Sequence, residues 1–515
     1  MRLFIIFFLL ITSLSSFPQA DEYLFSPEGV AEIHIQLLDN KKISDIKNDE
    51  DEDYVGKLRA EITVANSKTS HYEDEQLFTG FIRIEGRGYS SWSLDKKPYN
   101  IDFMSETGEE LPIKILGMPK CDEWCLLAGA FDRTLLRFPL AAYIGQHLEG
   151  IPWTPRNRFV ELWINDEYLG LYTLTEKIMK DKSRVDIQQL EAADENISGG
   201  YIVELNTKVR DPLEIEKQFF TTLYNIPICF KYPKPRNVTD KQRTWLMQYF
   251  NDFETALNSS AFKDLVNGYA KYIDTESFID WTILMELCGD EDHGNNISNY
   301  LHKDRDNKLF MTAPWDFDRA FGAYMQEAEP DLTNNFTYVR LNHWYGRLAE
   351  DPAYLLKYKD RMDALRKLFA TLPDVLDANY AQLIASGAID REYEKWGNSL
   401  PSMTDMPDYK SEFEYLQDWL VRHTGWCYKS LGMPTFNESL TQIKDLQAVE
   451  NKLYYSDGKN ITIPLVANTE KQLIINVFTI TGKTITRACI IPKHYNNSIT
   501  LHTRGYKGFC VVTIE

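Results

Sequence analysis

Beyond its first residues the chain has no apolar stretch of the length needed to cross a bilayer, about 20 residues for a helix, so no membrane-spanning segment is expected. Positive charge is also short. The 56 lysines and arginines against 76 aspartates and glutamates leave a formal net charge of -20, which argues against general binding to nucleic acid or to an anionic membrane. Cysteine is scarce, with seven in 515 residues, at 121, 125, 229, 288, 427, 489 and 510. That permits disulfides without implying a disulfide scaffold, and an odd count leaves at least one thiol free. No group of Cys and His has the spacing of a zinc site.

What is present begins with MRLFIIFFLLITSLSSFPQA: one basic residue, Arg2, an apolar run from Leu3 to Ile11, then small and polar residues ending at Ala20. This pattern predicts a secretory signal over 1–20 and an exported protein. The remaining length exceeds one ordinary core, so a large domain over 21–435 and a smaller one over 440–515 are expected.

Val30 to Leu37 alternates apolar and polar residues and predicts a strand, as do Leu58 to Ala65, Phe81 to Glu85 and Asn100 to Phe103, in one antiparallel sheet. Between the last two lies Gly86-Arg87-Gly88-Tyr89-Ser90-Ser91-Trp92, closing on Lys96-Lys97-Pro98-Tyr99. Glycines flanking an arginine let backbone amides and a guanidinium face one anion. Thr134 to Leu148 has helical spacing. Phe159 to Ile164 and Tyr168 to Thr175 flank the turn Asn165-Asp166-Glu167 as a hairpin ending at Glu176, and Gly200 to Leu205 gives a further strand carrying Glu204. In Asp240 to Phe262 the aromatics fall on one helical face, which is core packing. Asp274-Thr275-Glu276 begins an apolar helix through Leu287. Helices are also expected over Asp351 to Leu372, Val375 to Ala385 and Tyr409 to Leu431.

That apolar helix delivers two groups of acids, Asp290/Glu291/Asp292 and Asp316/Asp318. Two carboxylates about 4 Å apart repel by roughly 4 kcal/mol at an effective dielectric of 20, so converging acids need a cation or a shared proton. Asp, Asn and Ser oxygens suit magnesium, manganese or calcium.

The run Ser298-Asn299-Tyr300, Leu309-Phe310, Pro314-Trp315-Asp316-Phe317-Asp318 and Phe321-Gly322 resembles the signature of the spore-coat CotH family of atypical secreted protein kinases. GRGYSSWSLDKKPYNIDF is similar to that family's GRGNSSW and KKPY segment, with Tyr89 in place of Asn; Asp290 likewise stands where the family has Asn. The resemblance implies an α+β fold with a kinase-like, two-lobed domain of antiparallel sheet and helices. It implies ATP and Mg2+ or Mn2+ as cofactors and an exported or surface protein as phosphate acceptor. By motif, Asp292 would be the catalytic acid, and Asp316 with Ser298 or Asn299, and Asp318, the metal ligands. Arg87 and Lys97 would contact phosphates, Glu176 and Glu204 would orient one of those cations, and Trp315 would pack near the nucleotide. The fold without turnover, a surface scaffold or adhesin, is the alternative. A glycoside hydrolase using Asp292 and Asp316 leaves the Arg87 and Lys97 motif without a role, and a structural coat protein needs no site.

After Met433-Pro434 short strands are expected at Ile461 to Leu465, Gln472 to Ile480, Thr484 to Ile491, Ser498 to Leu501 and Gly508 to Ile514, with a turn at Thr481-Gly482-Lys483: a small β-sandwich. VFTITGKTI and the terminal GYKGFCVVTIE resemble a C-terminal sorting domain that would engage secretion machinery; a carbohydrate- or protein-binding sandwich is the alternative. Cys489 and Cys510, on strands of one small exported domain, are expected to form a disulfide.

Overall fold

Alternation closes into a barrel. Its strands are β1 (Ala31–Leu37), β2 (Leu58–Ala65), β3 (Phe78–Gly86), β4 (Tyr99–Met104), β7 (Glu123–Leu127), β8 (Asn157–Ile164) and β9 (Glu167–Glu176), with a side hairpin of β5 (Ile113–Ile115) and β6 (Met118–Cys121). The order is β1-β2-β3-β4-β7-β9-β8, and the parallel pairing of β1 with β8 closes the ring. Along β1 every second residue is buried, and Ile33, Ile62, Ile82, Ile101, Trp124, Leu162 and Leu174 fill the interior. Burying one such side chain contributes roughly 1.5–3 kcal/mol. Asn165 and Asp166 both take positive φ, the two-residue turn whose twist matches the hairpin β8–β9.

The computed structural model describes residues 27–323 except 50, 52 and 210, residues 342–433 except 398, 402 and 405, and then 452–457, 459–464, 473–479, 484–490, 498–503 and 507–514. The expected signal, 1–20, lies outside the described residues. The architecture is mixed α+β.

After the barrel and α1 (Arg137–Gln146) the chain builds a second sheet. It comprises β10 (Tyr201–Leu205), β11 (Phe219–Phe220), β12 (Pro227–Tyr232), β13 (Asn299–Lys303) and β14 (Leu309–Met311), in the order β11-β12-β10-β13-β14. The short α2 (Pro212–Lys217) precedes β11. In α3 (Asp240–Asn258), Thr239 and Gln242 form a capping box at the N-terminus, while Leu246, Phe250, Phe253 and Leu257 are buried. Next, α4 (Thr275–Cys288) starts at Asp274, whose carboxylate accepts from the Ser277 amide at 2.8 Å, and it ends at Gly289 in the left-handed conformation. Phe278 through Cys288 of this helix are all buried, so the acids that follow it are fixed in place.

The short α5 (Glu291–Gly294) turns the chain back toward β13, and α6 (His343–Leu348) follows the second acid group. The next helices break about two turns earlier than the sequence suggests. They are α7 (Pro352–Ala364) and α8 (Arg366–Ser386), and α8 runs straight through Pro373. A proline costs about 3 kcal/mol inside a helix. Here Phe369, Leu372, Pro373, Val375 and Leu376 are all buried, and that packing outweighs the lost hydrogen bond.

Two further helices, α9 (Ala388–Trp396) and α10 (Tyr409–Ser430), complete this half. The first of them clasps the barrel. Arg391 meets Glu161 through two bonds of 2.7 Å, Glu392 takes the wholly buried Lys96 ammonium at 2.6 Å and the Leu171 amide at 2.7 Å, Lys395 meets Glu167 at 2.9 Å, and Trp396 donates to the Leu169 carbonyl.

The C-terminal strands are β15 (Lys452–Asp457), β16 (Asn460–Pro464), β17 (Leu473–Thr479), β18 (Thr484–Ile490), β19 (Ser498–His502) and β20 (Lys507–Ile514). They form a four-stranded sheet, β15-β20-β17-β18, and a pair, β16-β19; β15 was not anticipated, and the turn at 481–483 lies outside the described residues. The register corrects the expected disulfide. Cys489 lies opposite Ile474 and Cys510 opposite Thr479, on the two strands flanking β17 and five positions apart along it. Two strand spacings and five residue rises separate the Cα atoms by roughly 19 Å, where a disulfide needs less than about 7 Å. Cys121, Cys125, Cys229, Cys288 and Cys427 are buried free thiols.

Candidate functional site

Four non-glycine residues around the acids have positive φ: Asn296 (57°), Ser298 (57°), Asp316 (68°) and Phe321 (50°). Side chains adopt this region at a cost, and such residues gather where geometry serves a function. The turn at Ser298 sends its hydroxyl to Asp316, whose Oδ2 accepts at 3.0 Å. Behind them the segment is anchored at several points. Arg137 donates through Nε to the Ala320 carbonyl while its other nitrogens meet Asp132 at 2.6 Å and Glu412 at 2.9 Å. The Phe321 amide donates to the Cys288 carbonyl, the Tyr415 hydroxyl to that of Gly322. A Cβ on Gly322 would come within 2.4 Å of the Trp419 ring.

His293 is wholly buried between two acceptors, Asp290 Oδ1 on its Nδ1 and the Trp315 carbonyl on its Nε2, each at 2.8 Å. Both ring nitrogens therefore carry protons, and the imidazolium stacks on Phe317 with centroids 4.4 Å apart. Burial works against that charge, but the Asp290 and Asp316 carboxylates outweigh it and hold the pKa above its ordinary value. The other Asp290 oxygen, Oδ2, is buried without a hydrogen-bond partner.

Protein crowding raises the pKa of Asp316, which stays open to solvent on one side, although His293 opposes the shift. Asp318 is pushed well above the carboxylate range by desolvation and by Asp316, Asp132 and Asp290. A cation beside these groups would relieve both effects. Among the described residues no three His, Cys, Asp or Glu side chains form a metal-holding group. Magnesium and manganese do not require one: one or two carboxylates suffice, with water and substrate phosphates completing the shell. The oxygen-only set of Asp316, Ser298 and Asp318, with the unpartnered Asp290 oxygen alongside, fits such an ion.

Asp292 is partly exposed. Arg319 lies 3.1 Å from its Oδ2 and Lys208 3.8 Å from its Oδ1. Arg87 reaches the acids from the barrel side, its guanidinium 5.3 Å from the Trp315 ring centroid and close enough to lower the pKa of Asp316. Its loop is braced: Asn48 donates to the Gly88 carbonyl at 2.7 Å, and the Trp92 ring lies so close to Gly86 that a Cβ there would meet it at 2.4 Å. The Trp92 indole N–H in turn donates to Asp51.

Of three further residues expected at the site, two stand elsewhere and one, Asn299, is there in a different role. Lys97 donates to the Trp92 carbonyl at 2.5 Å and lines a cavity of about 440 Å³ with Asp51, Tyr99 and Trp396, away from the acids. Glu176 is wholly buried in an ion cluster with Arg156 at 2.9 Å and Arg184 at 4.0 Å, a structural role in the barrel wall. Asn299 donates its amide to the His293 and Ile297 carbonyls and accepts from Trp281, so it shapes the turn. The side chain of Glu291 lies outside the described residues.

Glu204 pairs with neither Lys97 nor Arg87. Its Oε2 lies 3.0 Å from the Lys231 ammonium, which also meets Glu214 Oε1 at 2.8 Å. Lys231 is the extra residue of a β-bulge: Tyr232 opposes Ile202 and Phe230 opposes Val203, leaving it unpaired and re-aimed. Burial disfavours its charge, yet Glu204, the Tyr300 phenol and Glu214 keep its pKa well above the ordinary value. Tyr300 feels both Lys231 and Arg87, so the two cations converge near β13, the strand that begins directly after Ser298. Nothing local in PICFKY marks Lys231; its role depends on the pairing of β10 with β12. Lys208 and Arg319 were equally silent, because their partner Asp292 is distant in sequence, and His293 was missed although Asp290 is only three residues away, since its second acceptor, the Trp315 carbonyl, is not.

The family model described as CotH kinase protein matches residues 84–427, from the end of β3 to the last turn of α10. No curated protein matches the chain.

Proposed function

The chain belongs to the CotH kinase family, and from that premise we propose that it is an exported protein kinase, using ATP with Mg2+ or Mn2+ to phosphorylate Ser or Thr hydroxyls of secreted or surface proteins. In this reading the barrel is the upper lobe of a kinase-like pair and the helices from α6 onward the lower. The observation that carries it is the convergence of Arg87 over Trp315 upon the Asp316–Ser298 pair. Phosphoryl transfer asks for cations on the phosphates, a metal-holding carboxylate and an acid near the acceptor hydroxyl.

Arg87 and Lys231 hold phosphate oxygens, and Glu204 orients Lys231. Asp316, with Ser298 and Asp318, holds the divalent ion, which when bound neutralises charge on the transferring phosphoryl group. His293 fixes the Trp315–Asp316 peptide from below and offsets part of the carboxylate charge. Asp292, held between Arg319 and Lys208, orients the acceptor hydroxyl and takes its proton. The C-terminal strands form a small sandwich that serves export or anchoring.

Thermal unfolding of the full chain with ATP and manganese tests this directly. Ligand at a hundredfold its Kd adds about 2.7 kcal/mol of stability, and radiolabelled phosphate should enter the chain itself or co-exported serine-rich proteins. Stabilisation without incorporation would favour a surface scaffold. Absence of both would remove the nucleotide site.

A further inference from the structure

Lys231 has one charge and two carboxylates on it. Glu204 reaches it from the neighbouring strand β10, Glu214 from the six-residue α2. Glu204 sits on a strand paired on both sides and cannot withdraw. Glu214 is differently placed. Its helix is capped by Asp211, whose carboxylate adds a further negative charge nearby, and the apolar residues on either side of Glu214 face water, Leu213 at 48% and Ile215 at 46% exposure. Beyond the C-terminal end of α2, Arg243 holds the Lys217 and Gln218 carbonyls. The middle of the helix is therefore tied down by the Glu214–Lys231 contact more than by apolar packing.

We propose that Glu214 is an internal competitor for the nucleotide: it occupies on Lys231 the position that a phosphate oxygen takes, so ATP binding displaces it and frees the middle of α2. Two carboxylates sharing one ammonium repel each other, which makes the second of them replaceable by a ligand that brings its own metal ion. A phosphate oxygen accepts the same charge-assisted hydrogen bond. Glu204 then remains as the orienting partner. The exposed Leu213 and Ile215 move with the helix, so the state of the nucleotide site is displayed on the surface beside it. The inference rests on the kinase reading and adds to it a built-in threshold for nucleotide binding.

Calorimetric titration of the full chain with ATP and manganese tests it, on wild type, Glu214→Gln, Lys231→Met and the double variant, each first checked for an unchanged melting profile. Glu214→Gln should bind roughly tenfold more tightly, the worth of one charge-assisted hydrogen bond no longer to be broken. Lys231→Met should bind more weakly, and adding Glu214→Gln to it should recover nothing. Hydrogen exchange at the amides of 213–217 should quicken with ATP in wild type and be quick already in Glu214→Gln. Equal or weaker binding by Glu214→Gln, or slower exchange with ATP, overturns the competitor role and leaves the kinase reading standing. No binding by wild type and Glu214→Gln alike overturns both.

Discussion

The barrel and the acid segment are made on opposite terms. In the barrel most residues do what their local pattern favours, with alternating strands, a two-residue turn of Asn and Asp and an apolar interior, and its buried charges, Lys96 and Glu176, are each paired with an opposite charge. From Gly289 to Gly322 the chain accepts left-handed side-chain residues, a buried imidazolium and carboxylates driven above their usual pKa. The difference teaches where stability and function were separately placed. Barrel residues hold the fold, whereas the acids strain it.

The strongest test is Asp316→Ala. It should abolish manganese-dependent ATP binding, since no neutral side chain replaces a carboxylate ligand, and leave the melting temperature unchanged or higher, because one repelling charge is gone. Unchanged nucleotide affinity in calorimetry would remove the metal role, and an unfolded product would erase the contrast with the barrel. Asp292→Asn, nearly isosteric, should keep ATP binding and lower phosphate transfer by about 10²- to 10⁴-fold. Equal incorporation by variant and wild type would end its catalytic assignment.

On the other side, Trp124→Ala removes a wholly buried ring whose N–H meets the Cys121 carbonyl. It should cost about 3–5 kcal/mol in denaturant unfolding, with residual ATP affinity per folded molecule intact.

Acid should find the site-bearing half first. Burial lowers the pKa of His302 on β13 and His423 on α10 to about 4, against an ordinary 6.5. The unfolded chain takes up those protons near pH 6.5 and the folded chain only near 4. Each histidine's contribution is therefore full above pH 6.5 and is lost as pH falls, by about 3 kcal/mol at pH 4. Hydrogen exchange should rise in α4 and β13 before it rises in β3; the reverse order, or a flat melting profile from pH 6.5 to 4, would refute the assignment.

The smallest effect expected is for Lys97→Met: under about 1 kcal/mol of stability and no change in ATP affinity. A large loss of affinity would return Lys97 to the phosphates and undo the choice of Lys231.

The same division explains how much could be read from the sequence. Most strands of the barrel, the start of α4 and the position of the acids were visible, because each depends on neighbours in the chain. Arg87, Asp316 and Ser298 were found through motif, and they do come together. Lys97 shares the loop of Arg87, but its ammonium, just before Pro98, turns back to the Trp92 carbonyl. Lys231 was invisible because a bulge aims it. The passage of α8 through Pro373 was decided by burial, which local propensity does not register.

The grip of α9 on Lys96 also orders events during synthesis. The last barrel strand ends at Glu176, yet the buried ammonium of Lys96, in the loop between β3 and β4, has its counter-charge at Glu392. Burial alone lowers the pKa of Lys96, and an uncompensated buried charge costs several kcal/mol. A chain lacking the later helices would therefore keep that loop open to water. The barrel is first to be written and last to be sealed, and a fragment that stops before residue 392 inherits a door without its bolt.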